Sequence, residues 1–310
     1  MSSITVGQRE RATQNRVVRL FYTELGYEYL GNWEKAPRTA PIEDEGLRKH
    51  LLGRGYAPAI IERAIRQVHL LAENQSETLY RRNRAVYQAL RYGIKVKPEA
   101  GALHETVYLV EWADPAANHF GVAEEVPVVC GPNTKRPDVV LYLNGIAVGV
   151  LELKRSTVSV HEGIRQHWDN QQPHFIEDFF APVQLLLAGN DTEGLRYGTT
   201  GTPEKHYLEW QEDPAPGSQN SGPTTLLQNT EEPNDSLPQG SPSPLERGLG
   251  GEDARPNTPT TPPLLDTQLR QLCAKPRLLT LLHDFVVFDR GQKKLCRPNQ
   301  FFGVQAARQY

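Results

Sequence analysis

"RPDVVLYLNGIAVGVLELKRS", residues 136–156, reads as two β-strands joined at Asn144-Gly145. Both turn residues tolerate positive φ, and Asn-Gly between apolar runs is the strongest short-range hairpin signal. The second run, Ile146 to Leu151, is almost wholly apolar, the composition of a strand buried on both faces. It nevertheless ends Glu152-Leu153-Lys154. Unpaired charges on a buried strand cost several kcal/mol each, so these two need either an exposed strand end or a compensating arrangement.

An exposed end, or a salt bridge between the neighbours, explains the tripeptide taken alone, because average composition yields about one E-x-K in a chain of this length. Three further features weigh against it. This E-x-K is the only one in a chain with ten lysines against 24 arginines. The other strand opens Pro137-Asp138, which brings a third ionisable group to the same end. Glu152 and Lys154 share a face, because strand side chains alternate with period two. Two carboxylates and an ammonium at one sheet edge are what a Mg²⁺-dependent phosphodiester nuclease requires. Mg²⁺ keeps several waters and needs few carboxylates, and the metal polarises a phosphoryl oxygen and acidifies an attacking water. The lysine orients that water or stabilises the transition state. The geometry sets a condition. With strict pairing around a two-residue turn, Asp138 lies opposite Leu151 and points away from Glu152. A three-residue loop or one bulge shifts the register, and we expect Asp138 across from Val150, on the face of Glu152 and Lys154.

Around the hairpin, apolar spacing predicts helices over 8–25, 57–73 and 76–93, the last with Ser76 as N-cap and Gly93 as stop. Strands are predicted over 105–112, 121–130 and 182–190, with a helix near 160–171. The core order is then helix, three strands, helix, strand. Residues 211–263 hold eleven of the 24 prolines and few large apolar residues, the composition of a disordered insertion. That stretch carries eight acids and two arginines, so removing its −6 from the net −3 leaves +3 for the rest, a balance that permits DNA contact without arguing for it. From Leu264 to Asp289 helices are expected. Cys130, Cys273 and Cys296 form no CxxC pair, which favours reduced thiols in a cytoplasmic protein over a disulfide framework or zinc site. No apolar stretch is long enough to span a membrane.

P-D-x(13)-E-x-K on a hairpin, within that order of elements, resembles the PD-(D/E)xK nuclease superfamily. "RPDVVLYLNGIAVGVLELK", "LYRRNRAVYQALRYGIKV" and "KLCRPNQFFGVQAARQY" resemble more narrowly the nuclease domain of type I restriction enzyme R subunits. The resemblance implies an α/β fold: a restriction-endonuclease-like core, a mixed central sheet flanked by helices, a helical insertion at about 43–93 and the Pro-rich segment. It implies a nuclease domain over 1–210, the 211–263 insertion, and a helical segment over 264–310 leading toward a helicase-like motor. Asp138 and Glu152 would be metal ligands and Lys154 the catalytic lysine. Glu10, on the first helix, would be a supporting acid near the metal, though it reads equally as a solvated helix residue. Gln166 falls where some of these nucleases carry Q-x-x-x-Y; here the fifth position is Asn170, so that motif is incomplete. Gln300 would contact adenine in the motor's entry segment. Mg²⁺, with Mn²⁺ as substitute, would be the cofactor, and ATP would act only with the motor. The chain has no G-x-x-x-x-G-K-[ST] phosphate loop, so the sequence is expected to be truncated before the motor and not to hydrolyse ATP itself. The partners implied are double-stranded DNA and the modification and specificity subunits.

Two other classes remain open at this stage: a non-catalytic DNA-binding or assembly module, and a freestanding repair-type nuclease. Arg81, Arg82 and Arg84 are candidate phosphate contacts, although a helix face in solvent is the plainer reading. His161, His167 and His174 read as surface or groove residues, and Trp112 and Trp168 as packing residues.

Overall fold

The computed structural model describes residues 6–35, 41–99, 101, 103–130, 132–212 and 262–308, with side chains of 6–10 and 130 left aside. Of the disordered insertion predicted over 211–263, residues 213–261 lie outside the described residues. The chain opens with α1 (Val6–Thr23), which ends where Gly26 takes a φ of +69°. Strand β1 (Glu28–Asn32) follows, then three helices, α2 (Asp44–Gly53), α3 (Pro58–Ala72) and α4 (Leu79–Tyr92). Helix α4 is capped by Thr78, whose hydroxyl accepts from the Arg81 amide, not by the expected Ser76. Gly93, at φ +77°, stops it as expected.

A small antiparallel hairpin, β2 (Ile94–Val96) and β3 (Glu105–Val107), comes next. The strand expected over 105–112 is thus three residues long and stands outside the main sheet. The strand expected over 121–130 breaks at Glu125, where φ is +52°, into β4 (Phe120–Glu124) and β5 (Val128–Cys130); the latter pairs with β6 (Asn133–Lys135). The hairpin follows as β7 (Val139–Leu143) and β8 (Ile146–Leu153), then α5 (Val160–Asn170), β9 (Leu185–Asn190), β10 (Gly194–Gly198) and β11 (Leu208–Glu209). After the insertion come α6 (Leu264–Cys273), α7 (Lys275–Asp284), β12 (Val286–Asp289), β13 (Gln292–Leu295) and α8 (Pro298–Ala307). Residues 286–289 form a strand where a helix was expected. Four apolar-rich residues carry no period long enough to separate the two.

Seven strands make one mixed sheet in the order β1-β4-β7-β8-β9-β10-β11, parallel at β1/β4 and β8/β9 and antiparallel elsewhere. Its centre is the hairpin. Asn144 and Gly145 take φ of 53° and 84°, as a two-residue turn of the primed type demands. No side chain fits at Gly145 for a further reason: an added Cβ would lie 2.6 Å from the Glu43 carbonyl and the Leu47 amide of the helical insertion. The side chains of β7 and β8 are buried throughout. Ile146, Val148, Leu151 and Leu153 join the core that includes α1, α3, α6 and α7, whereas Ala147 and Val150 pack on the other face with Phe179, Phe180 and Leu186. The alternation therefore changes phase between Val148 and Val150. Residues 262–308 belong to the same compact unit as the strands, with α6 against β10. Among the described residues no helix is long and apolar enough to cross a membrane, and Cys273 and Cys296 are free thiols.

Candidate active site at the charged hairpin end

The change of phase in β8 is a bulge. Leu143 pairs with Ile146 and Tyr142 with Ala147, but Leu141 pairs with Gly149, leaving Val148 as the extra residue. Pairing continues through Val140–Val150 to Val139–Leu151. One step further, Asp138 comes opposite Glu152. The expected register change is present, but in the other direction: the extra residue lies on β8, so Asp138 faces Glu152 and not Val150. Either direction puts Asp138 on the face of Glu152, because a one-residue slip exchanges the faces of a strand.

Glu152 is fully buried, and neither carboxylate oxygen accepts a hydrogen bond from a described donor. Burial, and next the Asp138 carboxyl, push its pKa well above the ordinary carboxylate range, while the Lys154 charge opposes the shift. Asp138 is itself anchored, accepting from the Leu153 amide through Oδ2 at 2.7 Å. Lys154 Nζ lies 3.9 Å from Glu152 Oε2 and donates to Gln166 Oε1 at 2.7 Å. The Lys154 backbone continues the parallel ladder, its amide donating to Gly189 O at 2.9 Å.

Gln166 reaches Lys154 because α5 crosses close over the strand. Ser159 caps the helix. At Gly163 an added Cβ would sit 3.2 Å from Ala188 Cβ and 3.4 Å from Glu152 Cβ, so the helix approaches as glycine permits. One residue beyond Gln166, His167 is buried, not a surface or groove residue; Nε2 lies 2.7 Å from Leu187 O. Burial lowers its pKa to about 4, with the Lys154 charge acting in the same sense. Asn170, one turn beyond Gln166 on α5, is also buried and its side-chain amide makes no hydrogen bond with a described residue.

Three residues that sequence reasoning missed surround Asp138. Gln14 of α1, buried, donates to the Asp138 carbonyl at 3.3 Å and to Glu124 Oε2 at 3.4 Å. Glu124 also accepts from the Tyr29 hydroxyl at 2.6 Å. Burial and the Glu124 contact push the Tyr29 pKa up to about 12. Glu125 donates its amide to the Asp138 carbonyl and pairs with Arg11 at 3.0 Å and Arg136 at 2.7 Å. The "EE" pair was visible within a strand, but nothing in the sequence said that its break would turn toward Asp138.

Other expected site residues fall elsewhere. Glu10 lies on α1, one turn before Gln14, and its side chain is outside the description. Gln300 sits in the first turn of α8, where its Oε1 accepts from the Arg297 amide at 2.9 Å. Arg82 is buried and held by Glu177 at 2.8 Å and Asp178 at 2.5 Å, so it is no phosphate contact in this fold. Trp168 is 46% exposed, not packed.

Among the described residues, no three His, Cys, Asp or Glu side chains are disposed to hold a metal. Two facing carboxylates remain, one of them buried without a donor. That is a poor arrangement for the protein by itself and a suitable one for a hard dication, which takes oxygen ligands and retains waters.

These features define a mixed α/β domain with an acid–acid–lysine cluster at the end of its central hairpin. The chain belongs to the family of the type I restriction enzyme R protein N terminus, whose model matches residues 7–205. No curated protein matches the chain.

Proposed function

We propose that this domain is the Mg²⁺-dependent DNA endonuclease of a type I restriction R subunit, built on a PD-(D/E)xK core. One observation carries the reading: the Val148 bulge brings Asp138 opposite Glu152, on the face of Lys154. Asp138 and Glu152 would hold the metal, for which Mn²⁺ would substitute. When bound, the ion supplies a Lewis acid for the phosphoryl oxygen and lowers the pKa of a water. The Lys154 ammonium, steered by Gln166, is within reach of the same position and would stabilise negative charge developing on the scissile phosphate. Gln14 and the Glu125 amide hold the Asp138 backbone in place, and Gly163 lets α5 bring Gln166 down. The modification and specificity subunits, and an ATP-driven motor acting with this domain, belong to the same proposal on the strength of the family.

Calorimetric titration with Mn²⁺ tests the metal without needing turnover. Wild type is expected to bind, and Glu152→Gln and Asp138→Asn to lose binding while remaining folded. Equal binding by all three proteins would refute the assignment.

A further inference from the structure

Helix α3 and the β2–β3 hairpin contribute nothing to the site just described, yet they gather a second concentration of charge. Arg63, Arg66, Lys95, Lys97 and His104, with Gln67 and Val96, line an open concavity of about 360 Å³. The five basic side chains are exposed, and no carboxylate lines the concavity. Glu62, one turn before Arg66, is already taken by Arg48 at 2.6 Å. Glu105, paired across the hairpin with Val96, is not among the lining residues. Arg63 donates to the Lys97 carbonyl at 2.8 Å, which ties the helix to the strand and keeps the cations together.

Arg63, Arg66, Lys95 and Lys97 so clustered repel one another; Glu62, which acts on Arg66 as well as on Arg48, offsets this only in part, and a polyanion relieves the rest. The lining holds no Phe, Tyr or Trp ring, and its one apolar residue, Val96, is buried in the core, so the surface is polar and cationic with no large stacking platform. What remains is chemistry for a phosphodiester backbone. We propose that this concavity docks the backbone of duplex DNA, as a contact of the helical insertion separate from the hairpin end. The proposal rests on the reading of DNA as the substrate. An anionic membrane is the competing occupant, because Leu70 and Leu103 nearby are exposed. It is disfavoured because the apolar face of α3 (Ile60, Ile61, Ala64, Ile65 and Val68) is already buried in the core and is not available to acyl chains.

The test is fluorescence anisotropy of a labelled duplex with the full chain, in EDTA and across a salt series. Arg66→Glu/Lys95→Glu is compared with Arg19→Glu/Lys49→Glu, which changes the charge equally at exposed positions elsewhere. The first pair should weaken binding by roughly tenfold or more and flatten the log–log salt slope by about 2, while the second stays near wild type. Should the reversal pair fail to fold, Arg66→Gln/Lys95→Gln should give the same slope change with a smaller loss. Unchanged affinity, or equal loss in both pairs, overturns the proposal. So does a result in which the Arg66/Lys95 pair abolishes capture by phosphatidylserine vesicles but leaves DNA affinity intact. The series is read in EDTA, where metal-dependent cleavage cannot run. Failure of the hairpin-end reading would therefore appear in cleavage and leave the anisotropy result standing.

Discussion

Asp138 faces Glu152 one ladder step beyond the Val139–Leu151 pair, and the extra residue Val148 puts it there. Two carboxylates so placed oppose each other's ionisation. Without metal, the pair works against the fold. Glu152→Gln, which cannot ionise, should therefore raise the stability of the metal-free protein at pH 8, by about 1.4 kcal/mol for each unit by which the fold raises the Glu152 pKa. Denaturant melts in EDTA check this. A destabilised Glu152→Gln would mean that the carboxylate has a favourable partner.

The same pair sets a pH dependence. The Glu152 pKa in the fold is raised above its ordinary 4.5. Its contribution is therefore fully favourable below that value and is lost as pH rises from there toward the folded-state value. Metal-free wild type should lose stability relative to Glu152→Gln as pH climbs from about 4.5, and Mg²⁺ should restore it increasingly at higher pH, because the ion competes with the proton. Melting temperatures with and without Mg²⁺ across pH 5–8 give the answer, and a Mg²⁺ effect that shrinks with pH would contradict it.

His167 works in the opposite direction. The fold keeps it neutral, lowering its pKa from 6.5 to about 4. Its stabilisation is present above 6.5 and drains away as pH falls to about 4, amounting at most to roughly 3 kcal/mol. His167→Gln should flatten that acid limb; an unchanged limb would assign the loss to other groups.

Gln166 acts on Lys154 and not on the carboxylates. Gln166→Ala should lower the cleavage rate by about 10- to 100-fold, the usual cost of removing a supporting partner, and leave Mn²⁺ affinity unchanged. Restoring the acceptor with Gln166→Glu should recover part of the rate. Equal loss in Ala and Glu variants would argue against the steering role. At Gly163, replacement by valine should cost about 1–3 kcal/mol through overpacking against Ala188 and Glu152, and should lower the rate through the same displacement of Gln166.

Much of this site was legible in the hairpin sequence. Asn-Gly determined the turn, the apolar run marked the buried strand, and the need to bring Asp138 onto the Glu152 face required an odd register. Which strand takes the extra residue was not legible, because Leu141 and Val148 are both apolar and either could be accommodated. Strand β1, "EYLGN", escaped notice because a short edge strand with an interior glycine carries almost no alternation; parallel pairing with β4 decides it. The apolar run at 105–112 was read into the main sheet because its pattern says strand without saying which sheet. Gln14 and the Arg82 ion pairs depend on contacts about a hundred residues apart, which local patterning does not encode.

The most direct test is cleavage of linear and supercoiled DNA by this chain with Mg²⁺ or Mn²⁺, beside Lys154→Ala and Asp138→Ala purified in parallel and an EDTA control. The account predicts that wild type cuts, that both variants and the EDTA sample do not, and that all three proteins melt as folded domains. Equal cutting by all three, or metal-independent cutting, would contradict the assignment of the hairpin end as the active site.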